Sequence, residues 1–281
     1  LKQSGLQVYP LPDAEASLYY NQEGVVLELC ESWLNQTSLL LSAVLKQLNR
    51  VHSAVRISGL ALCIDSQGFV DVEHEGAKEE ALKQLQWLKR FQKALGYSVD
   101  VSLFFTKSDV MTGFIPFFQS EYPDEFLKPL GFSLEGRLPM ASVLKQYRQK
   151  YDRLVENLTR QILPKLHAVR SSVLRTMIRE FPLQLASLKA PLQAFLDVLL
   201  KEGVKIRGVY WMSADSRQHH VDRLQTKISH EYGLVPQTAL VHFSPQQAYF
   251  VQGAIENVFL YTKRVSYAWP TLMRVVVWGI A

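Results

Sequence analysis

The sequence is poor in the residues that mark a particular chemistry. Its 281 residues hold two cysteines, Cys30 and Cys63. Both lie in apolar runs that read as buried strands, which suits reduced core thiols and implies no disulfide framework. His219 and His220 are adjacent and the others, at 52, 74, 167, 230 and 242, are scattered. None has metal spacing to a third ligand, so solvated or capping roles are the expectation. No G-x-S-x-G elbow occurs, and neither cysteine has a nearby histidine motif, which removes the common nucleophilic hydrolases. There is also no internal repeat, low-complexity tract or Pro/Gly-rich linker to divide the chain.

The chain opens Leu1-Lys2-Gln3 without a signal-peptide pattern and stops in Val275-Val276-Val277-Trp278-Gly279-Ile280-Ala281. Both ends are expected to continue into a longer protein. The terminal run falls short of the roughly 20 apolar residues a spanning helix needs. Lys263, Arg264 and Arg274 precede it, and basic residues just before an apolar segment suit the cytoplasmic edge of a membrane helix. Residues 265–281 are therefore expected to begin one.

What the chain does have is enough apolar content for a substantial core, with 48% hydrophobic and 20% charged residues. Lys plus Arg exceed Asp plus Glu by 31 to 26, and eleven basic residues fall between Lys128 and Arg179. A basic surface can meet nucleic acid, anionic lipid or an acidic partner, and a solvated helical face explains it too.

Short β-rich runs alternate with amphipathic stretches, as in a parallel sheet crossed by helices. The strand candidates are Val25 to Leu29, Val55 to Ile64, Val99 to Phe105 and Val204 to Trp211. Between the second and third, Leu82, Leu85, Leu88 and Leu95 give a helix ended by Gly96. From Met140 to Leu200 the rhythm changes. Leu144, Tyr147, Tyr151, Leu154, Leu158 and Ile162 mark one long helix, and Leu185, Leu188, Leu192, Phe195 and Leu199 a second stripe. Two further helices are expected around Val221 to Tyr232 and Pro245 to Tyr261. The acids Asp71, Glu73, Glu75, Glu79 and Glu80 cluster at a helix start, where the dipole favours them without catalysis.

The strand ending Phe104-Phe105 runs into Thr106-Lys107-Ser108-Asp109. In P-loop GTPases an N/T-K-x-D sequence follows a strand, its Asp accepting hydrogen bonds from guanine and its Lys stem packing along the base. Here the sequence continues into Gly113-Phe114-Ile115-Pro116-Phe117-Phe118 and Leu130-Gly131-Phe132. Upstream lie Ser4-Gly5-Leu6 and Tyr9-Pro10-Leu11; downstream lie Arg179-Glu180-Phe181-Pro182 and Arg207-Gly208-Val209-Tyr210. Taken in order, these segments resemble the cytoplasmic GTPase-like domain of the IcmF/TssM family.

The resemblance implies a P-loop GTPase-like α/β fold: a mostly parallel sheet flanked by helices, with an added helical subdomain. The implied division is 1–136 and 204–264 for the core, 137–203 for the helical insertion and 265–281 for a membrane helix. Thr106, Lys107 and Asp109 would be a guanine site, with Ser213 and Ala214 at the second guanine-contacting loop. Glu28 stands where the family usually has the Mg²⁺-positioning Asp of D-T-A-G. The segment Glu28-Leu29-Cys30-Glu31 departs from that pattern, because Glu31 puts a Cβ and a charge where a Gly amide would meet the γ-phosphate. The G-x-x-x-x-G-K-S/T loop is absent from this chain. No residue is placed to orient an attacking water. No cofactor is expected in the chain itself, and GTP with Mg is expected only of a longer protein.

The resemblance further implies an inner-membrane component of a bacterial type IVB or type VI secretion system, with this domain on the cytoplasmic side. Its implied partners are a DotU/IcmH (TssL-like) inner-membrane protein, other secretion subunits and the membrane, with no nucleic acid. Met212-Ser213-Ala214-Asp215 departs from the T-S-G-T-Q of many type VI members, which leans toward type IVB. A structural role and an active GTPase driving assembly are the two readings. A free-standing small GTPase similar to the receptor subunit of the signal-recognition system fits the sheet but not the helical insertion. Two features stay open. Phe114, Phe117, Phe118, Tyr122 and Phe126 form either core or a docking surface, and Arg148, Lys150, Arg153 and Arg160 either a solvated face or an anion-facing one.

Overall fold

The structure, a computed structural model, describes residues 7–9, 16–21, 24–29, 57–70, 72–119, 123–214, 222–233, 248–257 and 275–280. Its strands are β1 (Gln7–Tyr9), β2 (Ala16–Asn21), β3 (Gly24–Leu29), β4 (Ile57–Asp65), β5 (Val101–Thr106), β6 (Leu130–Ser133), β7 (Ile206–Trp211) and β8 (Val275–Ile280). Its helices are α1 (Ser66–Val70), α2 (His74–Leu95), α3 (Phe114–Phe118), α4 (Met140–Ala168), α5 (Ser172–Ser187), α6 (Lys189–Lys201) and α7 (Arg223–Tyr232), followed by α8 (251–257).

The strands form one sheet in the order β1-β2-β3-β8-β4-β5-β7-β6. The five strands from β3 to β7 run parallel, while β1, β2 and β6 pair antiparallel at the two edges. Residues of β4 alternate between two apolar layers: Leu60, Leu62 and Ile64 join the larger core, Ala61 and Cys63 the smaller one with Phe104, Tyr210 and α8. A strand buried on both faces reads as a continuous apolar run, which is why β4, β5 and β7 stand out in the sequence. Burial pushes the Cys63 thiol well up, and the charge of Glu28 adds to the effect. Cys30 lies outside the described residues.

One expectation is corrected here. Val275–Ile280 is strand β8, parallel to both neighbours, with Val275 opposite Val25 on one side and Ile57 on the other. It does not begin a helix. Three consecutive valines and a tryptophan favour the extended backbone, and lodging between β3 and β4 pairs the ladder groups of both.

Between β6 and β7 the chain builds α4, α5 and α6. The second apolar stripe breaks at Leu188, so it spans two helices. Tyr151 donates its hydroxyl to Leu185 O at 2.6 Å and Tyr147 to Lys189 O at 2.7 Å, so α4 satisfies carbonyls on both sides of the break. Both phenols are buried, and burial raises both pKa values. Among the described residues, one stretch, Ser172–Lys201, is long and apolar enough to cross a membrane; it is α5 and α6 together, and half of its most apolar 18 residues are buried inside the fold. Helix α2 ends at Gly96, which takes the left-handed conformation and returns its N–H to Gln92 O at 2.9 Å.

Candidate functional site at the strand ends

In open α/β sheets, ligands sit in the crevice beyond the carboxyl ends of the parallel strands. That edge carries the T-K-S-D turn. After Thr106 the chain reverses sharply because Lys107 adopts the left-handed region, with φ 53° and ψ 38°. Ser108–Val110 then form a 3₁₀ turn. A lysine there costs on the order of 1–2 kcal/mol. Its amine meets Asp65 Oδ2, at the end of β4, at 2.6 Å. Both side chains are about one-third exposed, so the pair offsets only a fraction of that strain.

The rest of the turn is anchored from beneath. Ser108 is fully buried, donates its hydroxyl to Phe105 O at 2.9 Å and lies 3.4 Å from the Ser66 hydroxyl. Its backbone N–H reaches Met212 O at 3.0 Å, while Met212 N–H returns to Phe105 O at 2.9 Å. These bonds carry the β5–β7 ladder past the strand ends and bring Asp109 to Ser213. The Ser213 hydroxyl donates to Asp109 Oδ1 across 104 positions of sequence. Asp109 is 3% exposed and Ser213 1%. Ser213 is held in turn by two backbone bonds with Tyr249, at 3.1 and 2.7 Å.

The structure therefore joins Thr106, Lys107, Asp109 and Ser213 in one site, with Ala214 next to it and exposed. Thr106 faces the strand ladder, donating to Ile64 O at 3.2 Å. Glu28 is elsewhere: β8 and β4 lie between its strand and β5, about 14 Å away. Glu31 lies outside the described residues. As arranged, the carboxylate that would accept the N–H groups of a guanine base is buried with its Oδ1 accepting from Ser213, and Lys107 is turned to Asp65. For Mg²⁺, Glu28 is a single half-buried carboxylate. Among the described residues, no three of His, Cys, Asp and Glu gather where they could hold a metal.

The description that fits is the IcmF-related N-terminal domain, matched over residues 36–265. The chain belongs to the IcmF/TssM family. It is similar to the type VI secretion system component TssM1 of Pseudomonas aeruginosa, 23% identical over 235 residues. That alignment covers 81% of this chain and 20% of the relative, so the chain spans about a fifth of the relative's length. No solved structure matches it.

The segments that carry the resemblance pack together in the fold. Phe114 and Phe181, from the Gly-Phe and Phe-Pro segments, meet edge to face with ring centres 5.7 Å apart. Phe117, Phe118, Phe126, Tyr249 and Phe250 complete the cluster, and all of it is buried. It is core, which closes the docking alternative for Phe114, Phe117, Phe118 and Phe126; Tyr122 lies outside the described residues. Gly131 lets β6 approach β7, since a Cβ there would sit 2.2 Å from Val209 O. Arg207 is buried and binds Asp100 Oδ2 through Nε at 2.8 Å and Nη2 at 2.5 Å, tying the starts of β7 and β5. On α4, Arg148 meets Gln193 at 3.0 Å, Lys150 the Ser133 carbonyl at 2.7 Å and Arg160 Glu156 at 2.6 Å.

Sequence reasoning missed Asp65, whose only signal was its place at a strand end, and Arg223, which had none.

Proposed function

We propose that this domain serves as a structural, assembly-bearing part of a bacterial secretion-system component at the inner membrane, on the cytoplasmic side, and that its GTPase-like strand ends have become part of the fold. Family membership and the secretion-system relative support the setting. The antiparallel β2–β3 edge, the T-K-S-D turn after β5 and the Ser213-Ala214 turn after β7 support the GTPase-like ancestry. The observation that carries the structural role is the burial of Asp109 against Ser213. A base-reading carboxylate faces its ligand, whereas this one is buried with one oxygen engaged by Ser213.

A DotU/IcmH or TssL-like inner-membrane protein is the partner this reading assigns. The relative's name favours a type VI system, whereas Met212-Ser213-Ala214-Asp215 leans toward type IVB. The convergence of Thr106–Asp109 and Ser213 from two separate loops favours a second reading, a nucleotide-driven assembly step.

Asp109→Asn in the full-length protein separates the two. Asparagine keeps a side-chain carbonyl oxygen to accept from Ser213 but loses the charge and the second acceptor that guanine recognition needs. Secretion at wild-type levels with unchanged protein abundance is expected. Loss of secretion at unchanged abundance would overturn the structural reading in favour of the nucleotide one.

A further inference from the structure

From Asn157 to Arg179 the chain contains no Asp or Glu, while Arg160, Lys165, Arg170, Arg175 and Arg179 fall within it. This acid-free stretch is the end of α4, the connection 169–171 and the first half of α5, so it folds as the tip of a helical hairpin. Lys165 is withdrawn from the tip, buried with its amine 4.6 Å from the Phe117 ring centre. The others are exposed. Arg160 and Arg179 have carboxylates nearby, at 2.6 Å from Glu156 and 3.6 Å from Glu180. Among the described residues, Arg170 and Arg175 have no carboxylate within salt-bridge distance.

The same tip exposes large aliphatic side chains. Leu163 is 65% exposed and Val173 49%, one on each side of the turn. Their exposure is not needed for the fold, because the hairpin's core contacts are made by Leu158, Met177, Ile178 and Phe181. A hairpin tip that pairs exposed aliphatic side chains with arginines, and carries no acid, suits a surface that is anionic outside and apolar beneath.

We propose that the tip of the α4–α5 hairpin docks on an anionic lipid bilayer, with Arg170 and Arg175 at the headgroups and Leu163 and Val173 entering the interface. This deepens the membrane setting proposed above but rests on the hairpin alone; vesicle binding reads the tip and leaves the family and its secretion role untouched.

The test is co-sedimentation of the purified chain with vesicles of phosphatidylethanolamine and phosphatidylglycerol, set against phosphatidylcholine vesicles. Binding to the anionic vesicles alone is expected, weakening as salt rises. A basic side chain near an anionic surface contributes a factor of about five. Arg170→Gln combined with Arg175→Gln is therefore expected to lower partitioning roughly twentyfold. Leu163→Ser with Val173→Ser should lower it as well, and all four positions are exposed, so unchanged circular dichroism is expected of both variants. The proposal is overturned by no binding to anionic vesicles, or by binding that both double variants leave intact. Capture of the tip by a glutamate-rich peptide without vesicle binding would also overturn it, assigning the surface to an acidic protein partner.

Discussion

Gly113→Ala is expected to lower the unfolding free energy by roughly 3–4 kcal/mol. Gly113 has φ 88°, a region in which alanine costs about 1–2 kcal/mol. A Cβ there would lie 2.2 Å from Met177 O and 2.9 Å from Phe181 Cβ. The first contact is with the backbone of α5 and cannot be relieved by a rotamer change, so overpacking adds about 1–3 kcal/mol. The glycine is what allows Phe114 to begin α3 hard against α5 and to place its ring among Phe118, Phe181 and Tyr249. Denaturant unfolding checks this. The midpoint should fall with the slope unchanged, and a loss below about 1 kcal/mol would mean that α5 gives way easily and that the close approach does not define the core.

Arg223→Met is the second large effect, at about 3 kcal/mol. The guanidinium is 4% exposed. It donates to Val70 O and, at 3.0 Å, to Val72 O; its Nε reaches Ser187 Oγ at 3.1 Å, and Glu73 lies 3.6 Å away. Methionine fills similar volume but takes the guanidinium donor from the buried Val70 carbonyl and the partly buried Val72 carbonyl, the first costing about 1–3 kcal/mol and the second less. Neighbouring bonds depend on the same corner: Gln184 joins Asp222 at 2.6 Å and accepts from Leu224 N–H at 3.2 Å. Hydrogen exchange should therefore quicken in α7 and at the α1–α2 junction before the sheet is affected. Arg223→Lys should recover little, because a single ammonium cannot span the carbonyls and Ser187 in the way a guanidinium fork does. Full recovery by lysine would show that charge alone holds the corner.

The parts of this molecule legible in its sequence are those with a period. Strands β3, β4, β5 and β7 are apolar on both faces, α2 buries Leu85, Leu88 and Leu95 on one stripe with Gly96 as a stop while Leu82 faces outward, and α4 runs long enough for its 3.6-residue repeat to be unmistakable. The short edge strands β1, β2 and β6 have no such signal. Leu130–Ser133 is four residues long and is a strand because Gly131 lets it lie on β7. The terminal valines illustrate the limit from the other side. Apolarity with basic residues upstream fits a membrane helix, but the groove between β3 and β4 offers hydrogen bonds that local composition cannot reveal.

The candidate site divides in the same way. Thr106–Asp109 was legible as a turn at a strand end, and Ser213 as lying at the end of a second strand, because each is a short contiguous pattern. Their mutual burial was not legible, since it depends on Met212 and Ser108 extending the ladder between strands more than 100 residues apart. Asp65 and Arg223 were invisible for the same reason. A lone charge has no pattern, and its role comes from distant carbonyls and amines that the fold gathers around it.

The most direct measurement is titration of GTP, with ATP as comparison, into the full-length protein by calorimetry, alongside its Asp109→Asn variant. With Asp109 sealed against Ser213 and Lys107 turned to Asp65, no GTP-specific heat is expected from either. Tight GTP binding that disappears in the variant would contradict the account and make Thr106–Asp109 a working guanine site.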